Sequence, residues 1–345
     1  MPEQTIGIAG IGCSVPSTVL TNDDLEKLVD TSDEWIRTRT GIQTRHVLGK
    51  DETLLDLAVE ASRRALEDAG VTAEEITDIR VGVNSWFRFP SLATRLQEVL
   101  GALGSSASDV SAGCSGFIYG MEDAYNKLLI QKLQYHRDGV ALVVGAEALS
   151  HITDWSDRNT CVLFGDGAGA VVLKATDRGA ILATHTHADG RYGPMLYSDP
   201  VNGSQRGDNG EWFVRRESNW PFLHMQGRKV YPVAVETMVR EVRAVIDKYN
   251  HAADEQIGIE DIGYIYPHQA NLRIIESVAK RLKAPLDRVY TNGVVRYGNT
   301  STASIPLGYC DNRDHFAGGG STPRLEIDVA FGSGFASGAI LRRVG

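Results

Sequence analysis

The chain has 345 residues, 42% of them hydrophobic, and a formal net charge of −9. That is enough apolar material for one large domain or two fused halves, and the negative balance disfavours nucleic acid as a default partner. No apolar run approaches the ~20 residues of a membrane span and no basic stretch precedes an apolar one at the N-terminus, so a soluble, cytoplasmic protein is expected.

In chain order, residues 5–11 read as a strand, 53–69 as a helix, 78–84 as a strand and 91–100 as a helix. Next comes Asp-Val-Ser-Ala-Gly-Cys-Ser-Gly-Phe-Ile-Tyr-Gly (109–120), a small-residue turn leading into a run of Phe117, Ile118, Met121, Ala124, Tyr125, Leu128 and Leu129. Spacings of three and four predict a helix with one buried face, with Cys114 near its first turn. Unpaired N–H groups and the helix dipole there favour a thiolate, so a lowered pKa and a nucleophilic sulfur are expected. A buried structural cysteine is the alternative, and it is the reading for Cys13, Cys161 and Cys310. Four cysteines without paired spacing form neither a disulfide framework nor a zinc pattern, which suits a reducing compartment.

Strands follow at 139–145, 160–164 and 168–173. His185 and His187 alternate as on one face of a strand, but with no third ligand nearby they read as structural, and no metal is expected. Beyond Met225 come a helix at 231–249, a strand at 262–266 and a helix at 272–282. The alternation implies a layered α/β protein. Phe-Gly-Asp-Gly-Ala-Gly-Ala-Val-Val-Leu (164–173) resembles Phe-Gly-Ser-Gly-Phe-Ala-Ser-Gly-Ala-Ile-Leu (331–341), and strand-turn-helix at 81–100 matches 264–282. The economical architecture is two pseudo-twofold-related α/β halves, residues 1–175 and 176–345, with the site between them.

His268, in the turn between a strand and a helix, can reach a site at strand ends, or serve as a hydrogen-bonded structural residue. Asn299 stands where it can cap a short helix or face a site. The Gly332-Ser333-Gly334 turn offers N–H groups for an oxyanion hole.

Together, Ser-Ala-Gly-Cys-Ser-Gly-Phe (111–117), Pro-His-Gln-Ala-Asn-Leu-Arg-Ile-Ile (267–275) and Tyr-Gly-Asn-Thr-Ser-Thr-Ala-Ser-Ile-Pro (297–306) resemble the β-ketoacyl-acyl-carrier-protein synthase III family, of thiolase fold. Residues 31–42 and 164–170 add further matches, so the likeness spans nearly the whole chain. The resemblance implies Cys114, His268 and Asn299 as catalytic residues of a condensing enzyme. Cys114 would take an acyl group from a thioester, with the N–H groups of Cys114 and Ser333 holding the oxyanion. His268 and Asn299 would then stabilise the enolate of a malonyl-type extender as CO₂ departs. The His/Asn pair points to the class III branch, and no catalytic glutamate of the hydroxymethylglutaryl-CoA synthase kind stands in a matching motif.

The resemblance further implies Trp35 and Arg158 sandwiching the adenine of coenzyme A, and Arg39 beside its phosphates. Met225, Gly227 and Phe331 would line the substrate tunnel, and Phe89 would cross a homodimer interface. Arg273, Lys280 and Arg281 would dock an acidic acyl carrier protein. Substrates would be acyl-CoA or carrier-protein thioesters, with no cofactor.

Departures from the family concern substrate choice. Residues 197–222 form a long polar insert with Gly203, Gly207 and Gly210 before Trp212, Phe213 and Trp220. Residues 309–324 replace a usual helix and turn, 131–138 run long, and Trp86, Phe87 and Arg88 precede Phe89. These features favour a specialised-metabolite enzyme over a fatty-acid initiator, including the type that joins two carrier-bound chains without decarboxylation. A transferase to oxygen or nitrogen is disfavoured by the intact His268 and Asn299, and a non-catalytic partner subunit by the presence of Cys114.

Overall fold

The computed structural model describes residues 5–177, 179–198, 204–206, 212–214, 221–316 and 324–345. Five strands build the first sheet: β1 (Thr5–Ser14), β2 (Asp78–Gly82), β3 (Ser106–Val110), β4 (Ala141–Ala148) and β5 (Asp166–Thr176), in the order β1-β5-β4-β2-β3. The second contains β6 (Gly179–Ala188), β7 (Ile262–Pro267), β8 (Arg324–Phe331) and β9 (Ala336–Val344), in the order β7-β8-β9-β6. Both follow one plan. The first strand of each half runs antiparallel to the last, the last runs antiparallel to its inner neighbour, and a parallel pair completes the series. An isolated parallel bridge, Ile265 to Val289, stands where β3 stands in the first sheet. The repeat legible at 164–173 and 331–341 is therefore a repeat of topology.

Helices fill three layers. α1 (Leu54–Ala69) and α2 (Leu92–Leu100) cover the outer face of the first sheet. α3 (Gly116–Tyr135) packs against β2 and β4 on one side and β6 and β9 on the other, while α4 (Gly227–Ala252) and α5 (Leu272–Leu282) cover the outer face of the second sheet. α6 (Ser304–Asp311) joins α3 in the middle layer. α1 begins where predicted because Thr53 and Asp56 form a reciprocal capping box, and it ends at Gly70, which takes the left-handed conformation with φ of 61°. α3 buries the face expected: Phe117, Ile118, Met121, Ala124 and Leu128 lie in an apolar cluster fed by both sheets, with Tyr125 and Leu129 partly buried against it.

Residues 160–164 are not a strand. Asp157 accepts the Asn159 N–H and starts a short helix, Arg158–Cys161, and only Phe164 keeps a bridge, to Asn299. Residues 309–316, expected to replace a helix, continue α6 to Asp311 and add a helical turn, Arg313–Phe316. Residues 131–135 extend α3, with His136 as its left-handed cap. Within the polar insert, Ser204–Arg206 pairs antiparallel with Trp212–Val214. Gly203, Gly207, Gly210 and Trp220 lie outside the described residues, as do the side chains of Trp212 and Phe213.

The middle layer approaches the first sheet closely at Gly145 of β4, where a Cβ would overlap the Thr302 carbonyl oxygen. Gly145→Ala is expected to lower stability by about 1–3 kcal/mol through this overpacking, read by denaturant unfolding, and to depress activity because Thr302 shares a turn with Asn299.

Candidate active site

The parallel strands β2, β4, β7 and β8 present their C-terminal ends to one region, the usual place for an α/β ligand site. A cavity of about 630 Å³ opens there, and Cys114, His268, Asn299, Phe331 and Ser333 all line it. The structure thus gathers residues separated by more than half the chain.

Cys114 precedes Ser115, the N-cap of α3, so it lies just outside the helix. Gly113 adopts φ of 53°, and a Cβ there would overlap the Ser333 nitrogen, just as one at Gly332 would overlap the Cys114 nitrogen. Glycine at both positions lets the two backbone nitrogens of the expected oxyanion hole come together. The expected low thiol pKa is corrected: burial, reinforced by the Glu147 carboxylate and opposed by a hydrogen bond from Ser301, pushes the Cys114 thiol up to about 12. A dipole at one helix end does not overcome desolvation at this position.

His268 is buried at the end of β7. Its Nδ1 is 2.7 Å from Ser304 Oγ, and that oxygen already accepts the Gln269 N–H at 3.3 Å. Nδ1 is the acceptor within reach of the Ser304 O–H among the described hydrogen bonds, which assigns the imidazole proton to Nε2, an atom with no partner among the described residues. Burial lowers the imidazole to about 3, so the ring is neutral, and Phe331 meets it edge-on at 5.8 Å. Asn299 Oδ1 accepts the Ser301 N–H at 2.9 Å, and its backbone bonds Leu163 and Gly165. Asn299 is not the cap of the short helical turn Ser301–Ala303, a place that Thr300 holds without a side-chain bond; its Oδ1 is instead engaged two residues on, which leaves the Nδ2 donor for the cavity.

At the mouth, Trp35 stands on the helix Asp33–Thr40. The Arg39 guanidinium lies 4.9 Å and the Arg158 guanidinium 5.0 Å from the Trp35 ring. A base between two stacked planes needs roughly 7 Å, so the expected adenine slot is closed here, with Arg158 also bonded to the Asp30 carbonyl at 2.8 Å. Met225, Gly227 and Arg273 line the cavity, together with Arg228, which sequence reasoning missed. Lys280 and Arg281 are exposed in the last turn of α5. Phe89 is not part of the cavity; it is 99% exposed, beside Trp86 and Phe87 near the β3 edge.

The remaining cysteines and the paired histidines lie apart from this cavity. Cys161 is buried, Cys13 and Cys310 hydrogen-bond each other, and His185 Nδ1 meets Glu241 at 2.6 Å. Besides Arg228, the residues missed from sequence are Glu147, Ser301 and Ser304. A glutamate ending an apolar strand, Val-Val-Gly-Ala-Glu, was the available signal for the first.

Two layered halves with a thiol at their junction define a thiolase-fold enzyme. Residues 108–190 match the family 3-oxoacyl-[acyl-carrier-protein (ACP)] synthase III, and 252–344 match its C-terminal domain. The chain is 46% identical over 342 residues to a β-ketoacyl-[acyl-carrier-protein] synthase III of Xanthomonas campestris pv. campestris, covering 97% of each. It superposes on the 3-oxoacyl-[acyl-carrier-protein] synthase III of Aquifex aeolicus with a TM-score of 0.83 at 39% identity, covering 98% of this chain and 99% of that one. The priming β-ketosynthase of the R1128 polyketide pathway is similar at 29% identity and a TM-score of 0.80, covering 100% of this chain and 98% of that one. This chain belongs to the β-ketoacyl-acyl-carrier-protein synthase III family and is a condensing enzyme of the acyltransferase class. No helix among the described residues is long and apolar enough to cross a membrane.

Proposed function

We propose that the enzyme forms a carbon–carbon bond by Claisen condensation between an acyl group on Cys114 and a malonyl- or β-ketoacyl-carrier-protein thioester. The observation that carries this reading is the single cavity holding Cys114, the Nε2–H of His268, the Asn299 amide and the paired nitrogens of Cys114 and Ser333. In the first half-reaction Cys114 sulfur attacks the donor thioester, and the Cys114 and Ser333 N–H groups receive the oxyanion. In the second, CO₂ leaves a malonyl extender, and the enolate oxygen accepts hydrogen bonds from His268 Nε2 and Asn299 Nδ2. The carbanion attacks the acyl carbonyl and expels the Cys114 thiolate. Met225, Gly227 and Phe331 line the acyl path.

Trp35, Arg39 and Arg158 serve a CoA donor, with Arg158 swinging off the ring as adenine enters. Trp35→Ala is expected to raise KM for acyl-CoA by about 3–10-fold, with acylation from a pantetheine thioester unchanged. Equal loss with both donors would remove the base-stacking role. Arg273, Lys280 and Arg281 present positive charge along α5 for an acyl carrier protein. Phe89 and the β3 edge, whose sole sheet neighbour among the described residues is β2, support a homodimer closing the acyl pocket, and the free cysteines support a cytoplasmic setting. We set the boundary of the halves at 175/176, at the C-terminal end of β5 and ahead of β6.

Donor and pathway follow from acylating the protein with a panel of short to long acyl-CoAs and acyl-carrier proteins, read by intact mass. A short acyl-CoA as best donor supports a fatty-acid-type initiator. A long carrier-bound donor supports the specialised-metabolite reading drawn from the 197–222 insert. Formation of product from two carrier-bound chains without CO₂ release would instead establish non-decarboxylative joining. Absence of any adduct would overturn the condensing role of Cys114.

A further inference from the structure

Glu147, near the end of β4, is fully buried and does not line the cavity, yet it holds two residues that do, Asn84 and Ser301. Its Oε2 accepts from the backbone N–H groups of Asn84 and Ser85 and from Ser85 Oγ, at 3.2, 3.1 and 2.7 Å. Its Oε1 accepts from Asn84 Nδ2 at 2.6 Å and from Ser301 Oγ at 3.0 Å. Five protons converge on the two oxygens, a set that a carboxylate accepts and an amide does not. Gly145, two positions earlier on the strand, shares a face with Glu147 and is the residue whose Cβ would overlap the Thr302 carbonyl oxygen. One face of β4 therefore meets the turn that follows Asn299 twice, by close approach and by a hydrogen bond.

Ser301 takes the left-handed conformation, with φ of 48°, which costs a serine free energy and which glycine adopts freely. Such a residue persists where its surroundings over-determine it. Thr300, Ser301, Thr302 and Ala303 are all buried, so no water replaces a protein partner in this turn. The Ser301 hydroxyl is tied to Glu147, and Thr302 Oγ1 gives its proton to the Gly82 carbonyl at 2.8 Å. In this conformation the Ser301 backbone N–H points back to Asn299 Oδ1 at 2.9 Å. A primary amide can present its oxygen or its nitrogen by a half-turn, and a donor fixed on Oδ1 settles the choice. The carboxylate thus reaches the Asn299 amide through one serine.

We propose that Glu147 and Ser301 form a latch that holds the Asn299 amide with Nδ2 toward the cavity, and that both are positioning residues for the condensation step. The hydrogen bond from Ser301 Oγ to Glu147 offsets the cost of the left-handed turn. Without it the turn relaxes, the Ser301 N–H leaves Oδ1, and the amide is free to bring its oxygen against the enolate oxygen, a repulsive contact. The same carboxylate steadies the nucleophile turn by a second arm, because Asn84 Nδ2 also donates to the Gly113 carbonyl at 2.9 Å. Loss of the Ser301 arm falls on condensation, and loss of the Asn84 arm falls on both half-reactions.

The latch rests on the reading of Asn299 as a donor to the enolate, so Asn299→Ala is carried as the reference. Two rates are measured for each variant: single-turnover acylation by the best donor of the panel above, read by intact mass, and condensation of the pre-acylated enzyme with malonyl-carrier protein. Ser301→Ala is expected to lower the ratio of condensation to acylation by about 10–30-fold, short of the loss in Asn299→Ala because the freed amide still visits the productive orientation. Ser301→Gly removes the same hydroxyl but takes the left-handed conformation without cost, and recovers most of that ratio. Glu147→Gln lowers the ratio as well, and adding Ser301→Gly to it restores the ratio, because glycine no longer needs the tie. Equal ratios in Ser301→Ala and Ser301→Gly, whether both low or both at the wild-type value, would overturn the latch. Should Glu147→Gln fail to fold, the alanine and glycine variants at 301 decide by themselves. A wild-type ratio in Asn299→Ala would refute the enolate role of Asn299 and the latch with it, whereas a collapsed ratio there beside an unchanged one in Ser301→Ala would refute the latch alone.

Discussion

Cys114→Ala removes acyl transfer to the protein: the mass increment left by the preferred thioester on the wild type disappears, and overall turnover falls by about 10⁴-fold or more. Specificity of labelling follows from where the other thiols sit. Burial pushes Cys161 up to about 11, and its neighbours Asp157 and Asp154 add to the shift. Cys13 and Cys310 bond each other where Cys13 packs beside Tyr297, Ala303 and Leu307, away from the cavity lining. Only Cys114 combines access to the cavity with two converging backbone nitrogens. Peptide mapping of the wild-type adduct should therefore return the α3 N-terminal peptide alone. An increment that persists in Cys114→Ala, or maps to Cys161, would refute the assignment of the nucleophile. The substitution leaves the fold intact on physical grounds, since alanine removes one sulfur and strands no hydrogen-bonding group except Ser301 Oγ, which keeps Glu147 as acceptor.

Much of this was legible in the chain because local signals and tertiary demands agree. Thr53 with Asp56 marks the start of α1, and Gly70 its end. The small residues of 109–117 mark the turn into α3, and the repeated glycine turns mark the two ends of the pseudo-symmetry. Elements whose stability is borrowed from neighbours were not legible. The strand β3, Ser-Ala-Ser-Asp-Val, lacks an apolar alternation because it is an edge, half-buried along most of its length. Residues 160–164 are apolar enough for a strand, yet they are buried in the apolar cluster that also takes in residues of α4 and α5, with only Phe164 bridged, a distinction that periodicity of a short run does not carry. Within the site, residue identities were readable and electrostatics was not. The helix start at Cys114 argues for a thiolate, and only the assembled structure brings the Glu147 charge and the exclusion of water that reverse the sign. Likewise, the closed Trp35–Arg158 pair depends on a contact between segments 123 positions apart, which no local pattern encodes.

His268→Ala and Asn299→Ala divide the two half-reactions. Each is expected to retain acylation of Cys114 within a few-fold, while condensation falls by about 10²–10³-fold, the usual loss for one donor to a developing oxyanion. The prediction follows from where their protons point. His268 Nδ1 is engaged by Ser304 and Asn299 Oδ1 by the Ser301 N–H, so what each presents to the cavity is a donor, Nε2–H and Nδ2–H. Donors do not assist the loss of the thiol proton, but they stabilise an enolate oxygen, whose negative charge appears only as CO₂ leaves. The double variant should lose little more than the sum of the singles in condensation and nothing further in acylation. Because burial lowers His268 to about 3, the imidazolium forms only well below neutrality, so wild-type condensation from pre-acylated enzyme shows no histidine inflection between about pH 5 and 8. Such an inflection, lost in His268→Ala, would mean that the ring works as an acid or base rather than as a neutral donor. Equal loss of acylation in the Cys114, His268 and Asn299 variants would contradict the division of labour altogether.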